Sequence, residues 1–351
     1  MEKETEELFT SAPYPTRNVR HNIADLKAQI AANEKGVQEL RKMISHFGLD
    51  VVHAYMLHVQ NNAEECVRRV LHVLKDGNFV QETDYGGKIC VDIKVDNLNR
   101  EATIDFTGTS LQQPNNFNAP SAVCMAAVLY VFRLLVDEDI PLNEGCLKPL
   151  KVIIPEGCML APIYPAAVVA GNVETSQTVT NAILGALGIL GASQGTMNNF
   201  TFGNEGAYQN YETICGGSGA GPDFDGTDAV HTHMTNTRAT DTEILEWRFP
   251  VIVEALSIRL NSGGRGTHKG GNGIIRRVRF QEPMTAGITS SSRNCCPYGM
   301  AGGEPGKCGR NYVERTDGTV EELAGSDGAD MEAGDVFVIE TPGGGGYGSP
   351  E

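Results

Sequence analysis

Three polar runs hold most of this chain's capacity for chemistry: Gly171-Asn172-Val173-Glu174-Thr175-Ser176-Gln177, Ala192-Ser193-Gln194-Gly195-Thr196-Met197-Asn198-Asn199, and His231-Thr232-His233-Met234-Thr235-Asn236-Thr237-Arg238. They crowd amides, hydroxyls and paired imidazoles into a short stretch of sequence that also carries glycines. A polar group buried without a partner costs about 1 to 3 kcal/mol, so this concentration points to a site rather than to an ordinary core.

Glu174 offers a carboxyl for acid or base work, with Asn172, Ser176 and Gln177 as donors and acceptors around it. A glycine precedes an apolar helix here. Backbone N–H groups at the helix start, beside the Thr175 and Ser176 hydroxyls, would cradle an anion or a developing oxyanion. The plainer alternative is that Asn172 or Thr175 caps the helix and Glu174 complements its dipole.

His231 and His233 alternate, as same-face residues of an extended strand do, so both imidazoles could serve one cavity and share a metal, a proton or a substrate carboxylate. A catalytic metal wants three or more protein ligands, which would require Asp228, Asp241 or Glu243 to fold close. The metal and its ligands are not specified by the sequence, and a histidine pair that only braces a loop is the alternative. Asn198, Thr235 and Asn236 are candidate substrate contacts, and Arg238 suits a bidentate carboxylate.

No G-x-x-x-x-G-K-[ST] phosphate loop occurs. Cys215 reads as packing beside Ile214. The run 216–221 reads as close backbone packing or a mobile loop lining the site, and 343–346 as a tight turn or an interface element, neither as a nucleotide loop.

These groups need a scaffold. Apolar residues at three- and four-residue steps from Asn22 to Lys75 predict two amphipathic helices, with Gly48 as the left-handed cap of the first and Asp50 as the N-cap of the second. Alternation over Lys88–Val95 and Ala102–Phe106 predicts a β-hairpin. A helix follows over about 120–136, opened by Asn118 and a proline, then a short strand at Val152–Ile154. Another helix spans Thr175–Leu190, its Ala182, Gly185, Ala186 and Gly188 permitting close packing. Strands are expected at 251–260, 274–280, 284–289 and 335–340. The fold class is α+β: N-terminal helices and a β-hairpin, then a mixed α/β region, and a mostly β, glycine-loop-rich C-terminal half. The parse is a loose segment over 1–16, a helical and mixed region over 17–190, and a β-rich region over 191–351.

A formal charge of -16 over 351 residues argues against a nucleic-acid partner. The basic run Arg276-Arg277-Val278-Arg279 reads as the solvated face of a strand. Nine cysteines without regular spacing form no disulfide framework, Cys295-Cys296 read as buried thiols, and with no signal peptide the expected compartment is the cytosol. The longest apolar stretch, Ala119–Val136, falls short of the ~20 residues a bilayer span needs, so no membrane association is expected.

Thr16-Arg17-Asn18, Asn22-Ile23-Ala24-Asp25-Leu26, Gly48-Leu49-Asp50-Val51-Val52, Tyr211-Glu212-Thr213 and Thr341-Pro342-Gly343-Gly344-Gly345-Gly346-Tyr347-Gly348 resemble, in order, motifs of the hydantoinase B/oxoprolinase family, in its eukaryotic-type oxoprolinase branch. The resemblance implies ATP-dependent opening of a cyclic amide, 5-oxo-L-proline to L-glutamate in that branch, and a place in glutathione metabolism. It implies that ATP is bound by a hydantoinase A part outside this chain, and that a divalent metal would draw its ligands from upstream. The partners implied are a small cyclic amide, a hydantoinase A-type domain or subunit, and further copies of the chain. The expected catalytic residues are His231, His233 and Glu174; the expected substrate contacts are Asn172, Ser176, Gln177, Asn198, Thr235, Asn236 and Arg238. The chain is expected to be the C-terminal portion of a larger enzyme, inactive alone. The alternatives are a hydantoinase B or acetone-carboxylase-like subunit, or a noncatalytic product that binds a hydantoinase A partner.

Overall fold

The computed structural model describes residues 2–11, 15–16, 18–204 and 208–350; Arg17 of the first motif lies outside them. Two compact units are present, Met1–Ala63 and Glu64–Glu351.

The first unit is helical. α1 (Glu2–Thr10) lies in the stretch expected to be loose; α2 (Val19–Phe47) and α3 (Leu49–Val73) are the two amphipathic helices. Gly48 does interrupt them, with φ +86°, but its ψ of 151° is not that of a left-handed helical cap. Because α3 already begins at Leu49, Asp50 is a first-turn residue whose charge suits the helix dipole, not the N-cap. Ile30, Val37, Leu40 and Phe47 of α2 are exposed, and no residue of that helix is buried.

In the second unit, β1 (Gly77–Glu82), β2 (Lys88–Asp96), β3 (Glu101–Asp105) and β4 (Leu150–Ile153) form one sheet, with β1, β2 and β3 antiparallel and β3 parallel to β4. α4 (Ser121–Leu134) and α5 (Ser176–Leu187) pack against each other, and α5 lies on β1 and β2. Small residues allow this approach: a Cβ on Gly185 would stand 2.8 Å from the Tyr298 hydroxyl and 3.0 Å from the Phe79 ring. Gly188 has a different task from packing. It ends α5 in the left-handed conformation, φ 68°. Asn118 likewise does not open α4, where Pro120 holds the cap position; its carboxamide instead ties Gln113, Asn115 and Ala167 together from a loop.

The remaining strands make two antiparallel sheets. β5 (Asn199–Gly203), β6 (Gln209–Glu212), β9 (Met284–Thr289) and β12 (Ser326–Met331) run in the order β12-β9-β5-β6; β7 (Val251–Ile258), β8 (Ile274–Phe280), β10 (Arg310–Glu314), β11 (Val320–Leu323) and β13 (Val336–Glu340) run in the order β11-β10-β13-β8-β7. A short α6 (Thr242–Arg248), capped by Asp241, precedes β7. Phe200, Phe202, Ile288, Val278, Phe280 and Phe337 fill a shared core between the two sheets, with Phe200 and Phe337 ring centroids 4.9 Å apart.

Arg276 departs from the expected solvated face. Strand alternation turns it inward with Ile274, Val278 and Phe280, and it is 1% exposed. The core tolerates the guanidinium because Glu212, equally buried, lies 2.9 Å away.

The glycine runs belong to no helix or named strand, yet they are buried segments that hydrogen-bond side by side: Gly344 N–H donates to Gly271 O, Gly271 N–H to Ser218 O, and Gly345 N–H to Ala192 O, at 2.8 to 2.9 Å. Only glycine fits at this spacing; a Cβ on Gly344 would sit 1.9 Å from Ser218 O, and one on Gly219 1.7 Å from Gly191 O. Cys296 is not a free thiol but is joined to Cys308 in a disulfide, whereas Cys295 is free and only half-buried.

Candidate functional site

The helix carrying Glu174 and Gln177 starts earlier than its apolar pattern suggests. A π-helical turn over Gly171–Thr175 leads directly into α5. This turn removes the expected anion cradle. The Glu174 and Thr175 N–H groups both donate to Ala170 O, the Thr175 hydroxyl donates to Phe117 O at 2.5 Å, and the Ser176 hydroxyl donates to Asn172 O at 2.7 Å. Ser176 is therefore turned into its own helix, and the Asn172 side chain is exposed. Neither Asn172 nor Thr175 caps with its side chain: Ala170 holds the cap position of the π-helical turn, and Thr175, at that of α5, makes no capping hydrogen bond.

Two separate polar clusters form on this helix. In the first, Gln177, fully buried, reaches the histidine turn: its Nε2 donates to Thr232 O at 3.0 Å and to Thr235 Oγ1 at 2.9 Å. The turn is closed by Thr235 N–H donating to Thr232 O at 3.1 Å. His233 adopts φ 50°, a left-handed conformation uncommon for a non-glycine residue and enriched at functional sites. The segment is thus a turn, not the strand from which the two imidazoles were expected to project together. His233 Nδ1 lies 3.3 Å from the Tyr130 hydroxyl. His233 Nε2, both His231 ring nitrogens, Gln177 Oε1 and Thr232 Oγ1 are buried atoms without a partner. Burial pushes the His231 imidazole below its ordinary value and that of His233 down to about 4, so both rings are neutral at physiological pH.

In the second cluster Glu174 is 0% exposed. Its Oε1 accepts from Thr196 Oγ1 at 3.0 Å, Met197 N–H at 3.0 Å and Asn199 Nδ2 at 2.7 Å, while Oε2 has no partner. Burial raises this carboxyl to about 7, against the opposing pull of the Met197 N–H, Ser291, Thr196 and Arg293. Tyr211 donates to Asn199 Oδ1 at 2.8 Å. Asn198 belongs here too, but it is fully engaged, donating to Gln194 Oε1 and Ile214 O and accepting from Arg293.

The structure therefore joins Gln177, Thr235 and the turn that carries His233, leaves both His231 ring nitrogens buried without a partner, places Glu174 and Asn198 in the neighbouring network, and leaves Asn172, Asn236 and Arg238 exposed. Asp228 is spent on Asn272 and Asp241 on the α6 cap. Among the described residues no three His, Cys, Asp or Glu side chains converge as metal ligands. Cys215 packs against the sheet core. Tyr130, Thr196, Asn199 and Arg293 escaped the sequence reading. Asn199 and Thr196 were at least inside a nominated run; Tyr130 was hidden in an apolar helix and Arg293 carried no local signal.

Residues 1–350 match the hydantoinase B/oxoprolinase family model, and the chain belongs to that family. It is similar to the 5-oxoprolinase of Dictyostelium discoideum, 45% identical over 96% of this chain and 27% of that protein. It is also similar to 5-oxoprolinase 1 of Arabidopsis thaliana, 46% identical over 98% of this chain and 28% of that protein. The chain thus spans little more than a quarter of the length of these relatives. Its fold is that of the ATP-dependent caprolactamase from Pseudomonas jessenii, with a TM-score of 0.81 at 21% identity over 99% of this chain and 64% of that one.

Proposed function

We propose that this chain is the hydantoinase B-type portion of an ATP-dependent cyclic-amide hydrolase that opens 5-oxo-L-proline to L-glutamate. The observation that carries the reading is the 45% identity to a 5-oxoprolinase along 96% of the chain. Water adds to the ring carbonyl carbon, the ring C–N bond breaks, and the nitrogen leaves with a proton as the amine of the product.

His231, His233, Gln177 and Thr235 would form the polar wall that holds the ring amide, because Gln177 ties the histidine turn to α5 and Gln177 Oε1, His233 Nε2 and both His231 ring nitrogens are buried and unmatched. Glu174 suits proton transfer near neutral pH, where a general acid or base works best, given its carboxyl at about 7 and its unpartnered Oε2.

Among the described residues, the N–H groups of 216–221 and 343–346 are all engaged by backbone carbonyls or the Ser193 hydroxyl, so these runs offer none to cradle phosphates. Nor do the described residues offer a metal-ligand set. The reading therefore assigns ATP to a hydantoinase A-type part and any divalent metal to residues elsewhere. The exposed apolar face of α2 supports a further partner, either that part or another copy of the chain. Among the described residues no helix is long and apolar enough to cross a membrane.

Glutamate and phosphate release from 5-oxo-L-proline, measured on a hydantoinase A-type partner with and without this chain, tests the proposal. Activity that depends on the chain is expected. Equal release without it would overturn the reading.

A further inference from the structure

Tyr130 projects from α4, more than a hundred residues from the histidine turn in sequence, and places its hydroxyl 3.3 Å from His233 Nδ1. The two rings meet edge to face, with centroids 5.8 Å apart and an interplanar angle of 72°. On the other side of the turn, Gln177 fixes the Thr232 carbonyl and the Thr235 hydroxyl. His233 is thus gripped at its backbone by α5 and at one ring nitrogen by α4, while its second ring nitrogen is buried and unmatched.

We propose that Tyr130 is the positioning residue of His233, holding the imidazole in the tautomer whose proton is on Nε2. The reasoning is one of donors and acceptors. A phenol has one O–H to donate, and a neutral imidazole has one N–H and one bare nitrogen. Burial raises the Tyr130 phenol above its ordinary value, so the O–H stays intact. The contact with His233 is the one hydrogen bond Tyr130 makes among the described residues. If Nδ1 carried the proton, it would donate to the phenol oxygen and leave the tyrosine O–H without a protein acceptor. With Nδ1 bare, the phenol donates, the Tyr130 O–H and His233 Nδ1 are both satisfied, and the proton sits on Nε2, the nitrogen left free for a ligand.

This inference rests on the proposed function and sharpens it. A neutral imidazole that presents N–H at its free nitrogen is a hydrogen-bond donor there and cannot take a proton from water at that atom. It suits the carbonyl oxygen of the cyclic amide, whose negative charge grows as the carbonyl is attacked. No proton passes to or from His233 in that step. Gln177 Oε1, the unmatched acceptor from the same cluster, complements it for the amide N–H. The pair suits an uncharged amide edge, which has one acceptor and one donor side by side, better than a carboxylate, which has only acceptors. Activation of water then falls to another group.

The direct test is the ¹⁵N spectrum of the His233 imidazole in the labelled 351-residue chain, read through long-range ring correlations that distinguish the two tautomers. The expected result is a protonated Nε2 and a bare Nδ1 in the unmutated chain, and loss of that preference in Tyr130→Phe. A protonated Nδ1 in the unmutated chain, or an unchanged tautomer in Tyr130→Phe, would overturn the proposal. Should Tyr130→Phe fold poorly, the spectrum of the unmutated chain decides alone. In the complete enzyme Tyr130→Phe should lower kcat by roughly 10-fold or more, approaching the loss of one oxyanion donor, with KM little changed. The functional reading fails separately, through normal lactam hydrolysis by His233→Ala, and such a result would leave the tautomer assignment standing.

Discussion

Replacing Glu174 with Gln should change how stability depends on pH. The carboxyl is fully buried, and its value rises from the ordinary 4.5 to about 7, chiefly through burial. The folded chain therefore binds a proton that the unfolded chain has already lost anywhere between those values. A folded-state value above the unfolded one makes the acid form the stable one: nothing is lost below pH 4.5, and stability declines as pH climbs from there to about 7. At about 1.4 kcal/mol per pH unit, the full decline is on the order of 3 kcal/mol. The chain's isoelectric point near 5.0 makes pH 5.5 to 8 the practical window, and about 2 kcal/mol of the decline falls inside it. Glu174→Gln keeps an oxygen to accept from Thr196, Met197 and Asn199 while removing the titration. Urea denaturation at pH 5.5 and 8, with free energies from linear extrapolation, should show the mutant gaining about 2 kcal/mol on the parent at the higher pH. Parallel pH dependence of the two proteins would refute the buried, proton-binding carboxyl.

Two further predictions concern the scaffold. Gly344→Ala should destabilise by more than about 4 kcal/mol, because its Cβ would lie 1.9 Å from a backbone oxygen in a bundle with no side chain to yield; Gly36→Ala, in the interior of α2 with nothing within 4 Å, should instead stabilise by about 1 kcal/mol. Chemical denaturation of both variants checks the pair, and similar midpoints would contradict the packing described. Glu212→Ala should cost about 3 to 5 kcal/mol by leaving the Arg276 guanidinium buried and unpaired, as read from the same denaturation curves; a loss under about 1 kcal/mol would mean that Arg276 reaches water.

What the sequence made legible is what local periodicity encodes. α2 and α3 carry apolar residues at helical steps, and β2, β3 and β9 alternate cleanly, so each was recognisable. β12, Ser-Asp-Gly-Ala-Asp-Met, has no such alternation and is held as a strand by pairing with β9; its identity is a tertiary fact. Arg276 breaks the hydrophobic pattern of its strand because a partner 64 residues away neutralises it. The run 216–221 was recognisable as a close-packing segment, but 343–346 was not, nor were the two as neighbours, since nothing in a single run reports which carbonyl it will press against. In the site, the Glu174 and His231 to His233 motifs stood out as polar concentrations. The separation into two clusters did not, because it depends on which face of one helix each side chain takes and on Tyr130 and Arg293, both distant in sequence.

The most direct test of the account is His233→Ala in the complete enzyme, with glutamate release from 5-oxo-L-proline and the melting temperature measured on the same preparation. If His233 contributes a donor to the lactam site, release should fall by roughly 10²- to 10³-fold, as for the loss of one oxyanion donor, with the melting temperature little changed. Near-normal release would contradict the catalytic assignment, and a loss of release matched by a lowered melting temperature would mean that the imidazole only ties the histidine turn to the helices around it.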